Sequence, residues 1–191
     1  VSPNDENTFN TLLKIVDNAL TKMHTIINEL TEVRKDEHKY KDHAELLNFE
    51  NILEDVRLTL SDNIITANAK ITSEINISEI TFSRRKLRTI IYNLIHNALK
   101  FKSPERPPEI LVTTKKEKDY VVISVKDNGI GLDVSKFDVI FSKYYRVENA
   151  IEGSGIGLYL VKEIINNAGG KILVKSQLGK GTEFQIYLKS E

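Results

Sequence analysis

The chain contains no cysteine, which removes disulfides, thiol catalysis and cysteine-based zinc sites in one step. That usage fits a reducing compartment, and a cytoplasmic location is expected. No apolar run approaches the roughly 20 residues that a spanning helix needs. No charged-then-apolar segment opens the sequence as a signal peptide would. Neither sign of charge is in excess: 27 Lys and Arg stand against 27 Asp and Glu. A generic surface for polyanions is therefore not expected, nor is nucleic acid as a partner, although a local basic patch is compatible with zero net charge. Internal repeats and low-complexity tracts are absent as well. The first residue is Val1 rather than Met, and the chain is expected to be part of a longer protein. What is present is 191 residues, 40% apolar and 28% charged. That is the length and composition of one soluble domain with an attached element, long enough to bury a core without staples.

Phe9, Leu13, Val16, Leu20, Met23, Ile27 and Leu30 step by fours and threes, with Leu12, Ala19, Ile26 and Val33 recurring beside them every seven residues. The spacing predicts a long helix over 9–33 whose stripe is wider than a two-stranded coiled coil uses, as in a bundle of several helices. Residues 36–45 are charged and expected to be exposed. Phe49, Ile52, Leu53, Val56, Leu60 and Ile64 share one helical register. Residues 70–80 partly alternate as an edge strand would, and 84–99 return to helical spacing. Ser103-Pro104-Glu105-Arg106-Pro107-Pro108 breaks the pattern as a loop. Strands are expected over 110–114 and 120–125, and a mobile polar loop over 142–154. A helix follows from about Gly157 to the stop at Gly169-Gly170, then strands over 171–176 and 183–188. The order is one long helix followed by an α+β domain, with the boundary placed between 46 and 47.

Three constellations carry polar chemistry. Asn93, Asn97 and Lys100 fall on one face of the predicted helix, at spacings of four and seven. They read either as an exposed polar face or as a Mg²⁺-nucleotide site, in which an amide oxygen meets the metal and a lysine meets a phosphate. Asp127-Asn128-Gly129-Ile130-Gly131 closes an apolar strand. It reads as a turn, or as a place where a flat ligand approaches glycine backbone beside a carboxylate. Such a carboxylate accepts from an exocyclic amine, which adenine has and guanine lacks at the equivalent position. Gly153-Ser154-Gly155-Ile156-Gly157 opens a helix, where free N–H groups and the helix dipole favour an anion. A dinucleotide-binding fingerprint does not fit that spacing, and Gly179-Lys180-Gly181-Thr182 lacks the first glycine of a P-loop. His38 and His43 lie in a charged run without zinc-ligand spacing. His24 lies off the helix seam, and His96, beside Asn97 and one turn from Asn93, is expected either to support the site from behind or to face a phosphate.

Taken in order, these blocks resemble the ATP-binding domain of bacterial sensor histidine kinases of two-component systems, in the superfamily that includes DNA gyrase B, MutL and related chaperones. Asn93-Leu94-Ile95-His96-Asn97-Ala98-Leu99-Lys100-Phe101 is similar to the N box and Asp127 to Gly131 to the G1 box. Phe137 and Phe141-Ser142-Lys143-Tyr144-Tyr145-Arg146 are similar to the F box. Gly153 to Leu158 is similar to the G2 box, and Gly179-Lys180-Gly181-Thr182-Glu183-Phe184 to the last glycine motif. The resemblance covers residues 47–191. It implies a Bergerat fold, an α+β two-layer sandwich with a mixed sheet and helices on one face, preceded by one long bundle-type helix.

By matching position, the resemblance implies that Asn97 binds Mg²⁺ with Asn93 beside the phosphates of ATP. Lys100 and Arg146 meet the phosphates as the catalytic cations, and Phe101 lines the adenine side. Asp127 accepts from the adenine amine, Gly129 and Gly131 give the base room, and Thr182 sits near the adenine. Gly153, Gly155 and Gly157 let a lid close, while Ile130, Tyr145 and Leu158 stand within the nucleotide-binding boxes. Residues 1–46 resemble the second helix of a dimerisation and phosphotransfer hairpin with its linker. The acceptor pattern, His followed by an acidic residue and Pro, follows none of the four histidines. The acceptor helix is thus expected upstream of Val1. The implied activity is transfer of the ATP γ-phosphoryl to that histidine, for relay to a response-regulator aspartate, in a homodimer whose full-length form is compatible with membrane tethering. The alternatives are an ATPase or serine kinase of the same superfamily, and a nucleotide-dependent binding module without phosphotransfer.

Overall fold

A computed structural model describes residues 43–133, 135, 137, 139–145 and 155–189, together with Leu12 and Val16. The chain divides into two compact units, Val1–Lys41 and Asp42–Glu191. In the first, Leu12 and Val16 are helical and exposed. The rest of the expected long helix lies outside the described residues.

The second unit begins with β1 (Glu45–Asn48), and Asn48 then caps α1 (Phe49–Thr59) by accepting from the Asn51 N–H at 3.2 Å. Phe49, Ile52, Leu53 and Val56 form the buried stripe of α1. The register read as one helix breaks at Leu60, which is fully buried, and the chain restarts as α2 (Ser61–Ala67). Asn68, in the left-handed region at φ 50°, ends α2 as residues of that type do. The expected edge strand over 70–80 is likewise two elements: β2 (Lys70–Ile75) and β3 (Glu79–Phe82). The second of these pairs antiparallel with β1 in a separate two-stranded sheet.

The remaining elements follow the sequence reading closely. Ser83 caps α3 (Arg84–Lys100), whose Leu87, Ile90, Ile91, Leu94, Ile95, Ala98 and Leu99 are buried. Next come β4 (Glu109–Glu117), β5 (Tyr120–Asp127), α4 (Gly157–Asn167), β6 (Lys171–Gln177) and β7 (Gly181–Lys189). The main sheet has the order β2-β4-β5-β7-β6, with β2 parallel to β4 and every other pair antiparallel.

Its two faces differ because side chains alternate along a strand. The row Val112, Val125, Phe184 is buried, whereas the neighbouring row Lys126, Glu183, Lys175 is charged. The α3 helix packs on β5, and α4 on β6 and β7, while α1 packs on α3. The result is the expected mixed-sheet α+β sandwich. It places the end of β5, the β6–β7 turn, the α3 face and the start of α4 around one region. Among the described residues, no helix is long and apolar enough to cross a membrane.

Candidate functional site

Asp127 is the last residue of β5, where the ladder ends and the chain turns through Asn128-Gly129. Its Oδ1 accepts two backbone N–H groups, from Gly129 at 2.8 Å and from Thr182 at 3.1 Å. Its Oδ2 has no partner among the described residues. Burial raises the Asp127 carboxyl above its usual value, and the two backbone donors oppose that rise. One carboxylate oxygen is thus fixed by the fold, while the other is left as a directed acceptor.

The turn is held from three sides. The Ile130 N–H donates to the Phe101 carbonyl at 3.0 Å, and the Gly179 N–H donates to the Ile130 carbonyl at 2.7 Å. Gly131 has φ +72°, and a side chain there would run into the Gln177 carbonyl, so the turn lies directly on the β6–β7 connection. Arg106 forks over the same region: Nε donates to the Asn128 carbonyl at 2.7 Å. One of its terminal nitrogens donates to the carbonyls of Gly129 at 3.1 Å and Gly179 at 2.6 Å. Asn128 faces outward to the 107–109 segment, accepting from the Glu109 N–H at 2.9 Å.

Beside Asp127, Ser176 and Thr182 form a buried-edge polar cluster on neighbouring strands. The Ser176 Oγ lies 2.7 Å from the Leu132 N, 2.8 Å from the Gly181 carbonyl oxygen and 2.9 Å from the Thr182 Oγ1.

On α3, Asn93 donates from Nδ2 to the Thr89 carbonyl at 2.8 Å, one turn back along the helix. Its Oδ1 faces Gly157, the first residue of α4, at a spot where any Cβ would collide with it. Glycine at 157 therefore lets the start of α4 close onto Asn93. Among the described residues no side chain caps α4, and its first turn carries no acidic residue, so its N-terminus presents a positive dipole end. Asn97, half-buried one turn beyond Asn93, has no side-chain partner among the described residues. The Lys100 Nζ lies 4.8 Å from the Phe101 ring centroid. His96 stacks on Tyr92 at 5.6 Å, and burial followed by the Lys100 charge lowers its pKa. Both effects favour the neutral ring.

The expected nucleotide residues thus fall into two groups. Asp127, Gly129, Ile130, Gly131, Thr182 and Phe101 meet around the β5 turn. Asn93 and Gly157 meet where α3 faces α4, with Asn97 and Lys100 further along α3 and Leu158 next to Gly157 on α4. Gly155 (φ +72°) packs on the backbone of Tyr144 and Tyr145, and the Tyr144 N–H donates to the Gly155 carbonyl at 3.0 Å. Arg146 and Gly153 lie outside the described residues. Sequence reading did not find Ser176 or Arg106 as parts of the site. Ser176 carries no periodic signal, and Arg106 stands in a stretch legible only as a loop.

Among known proteins, the family described as Histidine kinase-, DNA gyrase B-, and HSP90-like ATPase matches residues 82–191. The sensor protein RprX of Bacteroides fragilis (strain YCH46) is 37% identical over 127 residues, covering 63% of this chain and 24% of RprX. The chain therefore spans about a quarter of that relative's length. Full-length ShkA solved with AMPPNP aligns at TM-score 0.75 and 22% identity, over 100% of this chain and 40% of ShkA. The histidine kinase ThkA solved with the response regulator TrrA aligns at TM-score 0.74 and 18% identity. That alignment covers 100% of this chain and 53% of ThkA. These two structures share the fold.

Proposed function

The chain belongs to the histidine kinase-, DNA gyrase B- and HSP90-like ATPase family, and on that premise we propose that it is the ATP-binding catalytic part of a sensor histidine kinase. It would place the γ-phosphoryl of ATP for transfer to a histidine nitrogen on an acceptor helix, for relay to a response-regulator aspartate. The observation that carries the nucleotide reading is the Asp127 carboxylate, with Oδ1 held by two backbone donors and Oδ2 left open beside Thr182. That arrangement accepts from the amine of adenine. The ATP analogue bound to ShkA and the regulator bound to ThkA agree with this reading.

The phosphates would run from the base toward the contact between α3 and α4. The N-terminal dipole of α4 and the cations Lys100 and Arg146 would stabilise their charge there. The donor set also fits Mg²⁺. This ion takes few protein ligands and keeps waters and phosphates, and the Asn97 amide is half-buried with its oxygen uncommitted among the described residues. Bound Mg²⁺ would supply charge neutralisation across the phosphates. Phe101, Ile130, Tyr145 and Leu158 would line the site, and Gly153 and Gly155 would serve a lid.

Asn93 argues for phosphotransfer over ATP hydrolysis. An amide has no base function, and its nitrogen is already committed to the Thr89 carbonyl, so no group at that position activates water. We assign residues 1–46 to the second helix of a dimerisation and phosphotransfer hairpin plus linker, and 47–191 to the catalytic domain. In the full protein the first segment would complete a homodimeric helical bundle carrying the acceptor histidine.

The decisive experiment gives γ-labelled ATP to this chain, alone and with a separately supplied acceptor hairpin. Label appearing on the hairpin only when the chain is present is expected. Steady phosphate release without label transfer would replace this reading with an ATPase.

A further inference from the structure

We infer that Ser176 fixes the hydrogen-bond polarity of Thr182, so that the base-facing edge of the site offers acceptors only and selects a 6-amino over a 6-oxo purine. This rests on the reading that Asp127 and Thr182 receive the base.

A serine hydroxyl has one proton and two lone-pair positions. A carbonyl can only accept, so the 2.8 Å contact between the Ser176 Oγ and the Gly181 oxygen contains the Ser176 proton. The Leu132 N–H donates into one lone pair at 2.7 Å. What Ser176 has left for Thr182, 2.9 Å away, is its second lone pair. Thr182 must therefore donate its hydroxyl proton to Ser176, which leaves the Thr182 Oγ1 with lone pairs alone. The Thr182 backbone N–H is committed to the Asp127 Oδ1, which also takes the Gly129 N–H. Every open polar position on the pair, the Asp127 Oδ2 and the Thr182 Oγ1, is then an acceptor.

A threonine hydroxyl normally turns to suit a donor or an acceptor. Here Ser176 prevents that turn. A purine with a 6-amine meets two acceptors with its own donors, directly or through a water. One with a 6-oxygen sets lone pairs against lone pairs. Ser176 is accordingly a positioning residue that acts through Thr182, in a region where 7% of Thr182 remains accessible.

The test measures dissociation constants for ATP, ITP and the 6-unsubstituted purine riboside triphosphate by isothermal titration. In wild type the unsubstituted purine should bind more tightly than ITP, because only the 6-oxygen is repelled. Ser176→Ala frees the Thr182 proton to reach that oxygen. It should shift the ITP-to-ATP affinity ratio toward ITP by about fivefold, the scale of one net hydrogen bond. In a Thr182→Val background, Ser176→Ala should leave the ratio unmoved; with Thr182 in place, Ser176→Thr should keep wild-type selectivity. A merely structural Ser176 would weaken all three nucleotides together with the ratio constant, which overturns the inference. So does an equal ratio shift in both backgrounds. The wild-type series needs no variant to fold: ITP binding as tightly as the unsubstituted purine also overturns it. Absence of any nucleotide binding by wild type instead defeats the underlying assignment of the site.

Discussion

Asp127→Asn separates the folding role of this side chain from its binding role. An asparagine can keep its amide oxygen where Oδ1 stands, retaining the N–H groups of Gly129 at 2.8 Å and Thr182 at 3.1 Å. The nitrogen then takes the place of Oδ2. Only the open atom changes, from a charged acceptor to a neutral donor. A hydrogen bond to a charged group contributes about 1.5–3 kcal/mol, and replacing it by opposed donors loses at least that much. The affinity for ATP should fall by about 10–150-fold, at 1.4 kcal/mol per factor of ten.

Stability should move the other way or not at all. Burial raises the carboxyl's folded-state pKa above its unfolded value. The folded chain therefore holds this proton more readily, and this group's contribution to stability is greatest below the unfolded pKa. It declines as pH rises through the folded pKa. At neutral pH the ionised group is a burden, so Asn should melt no lower than Asp, with any advantage shrinking on acidification. Nucleotide titration together with thermal melts at neutral and acid pH checks both arms. Unchanged ATP affinity in a fully folded variant would refute the assignment of the Asp127 Oδ2 as the base acceptor.

Three other substitutions probe the rest of the site. Gly157→Ala gains helix propensity of about 1 kcal/mol but drives a methyl into the Asn93 Oδ1. Overpacking of about 1–3 kcal/mol should win, lowering the melting temperature and weakening ATP binding at least tenfold in the same titration. Arg106→Ala releases three backbone carbonyls and should reduce the urea unfolding free energy by about 2 kcal/mol. Arg106→Lys should not rescue it, because an ammonium cannot make the planar fork. Asn97→Ala should leave stability within about 0.5 kcal/mol while removing the difference between nucleotide affinities measured with Mg²⁺ and with chelator.

Legibility in the sequence followed the range of the forces involved. The α3 and α4 helices were readable because each has a dense apolar stripe at helical spacing with a clear start or stop. The β1 strand was not, since only Leu47 of its four residues is buried while Glu45 and Leu46 face outward beside a charged run. The break at Leu60 carries no glycine or proline. The apolar rhythm passes through it unbroken, and burial of Leu60 in the core sets the bend. Among site residues, Asp127, Thr182 and the glycines sit in short local patterns. Arg106 reaches carbonyls 22, 23 and 73 residues away, and Ser176 gains its role only when β6 and β7 pair. No local pattern encodes such partners.

The bond from the Tyr144 N–H to the Gly155 carbonyl, with Gly155 packed on the backbone of Tyr144 and Tyr145, joins the chain on either side of residues 146–154. A stretch whose ends are already clasped can change length without moving its anchors, and each doubling adds only about 0.6 kcal/mol of closure entropy. The Asp127 turn and the start of α4 are held by contacts that do not pass through residues 146–154, so insertions there should leave the melting temperature of the domain unchanged.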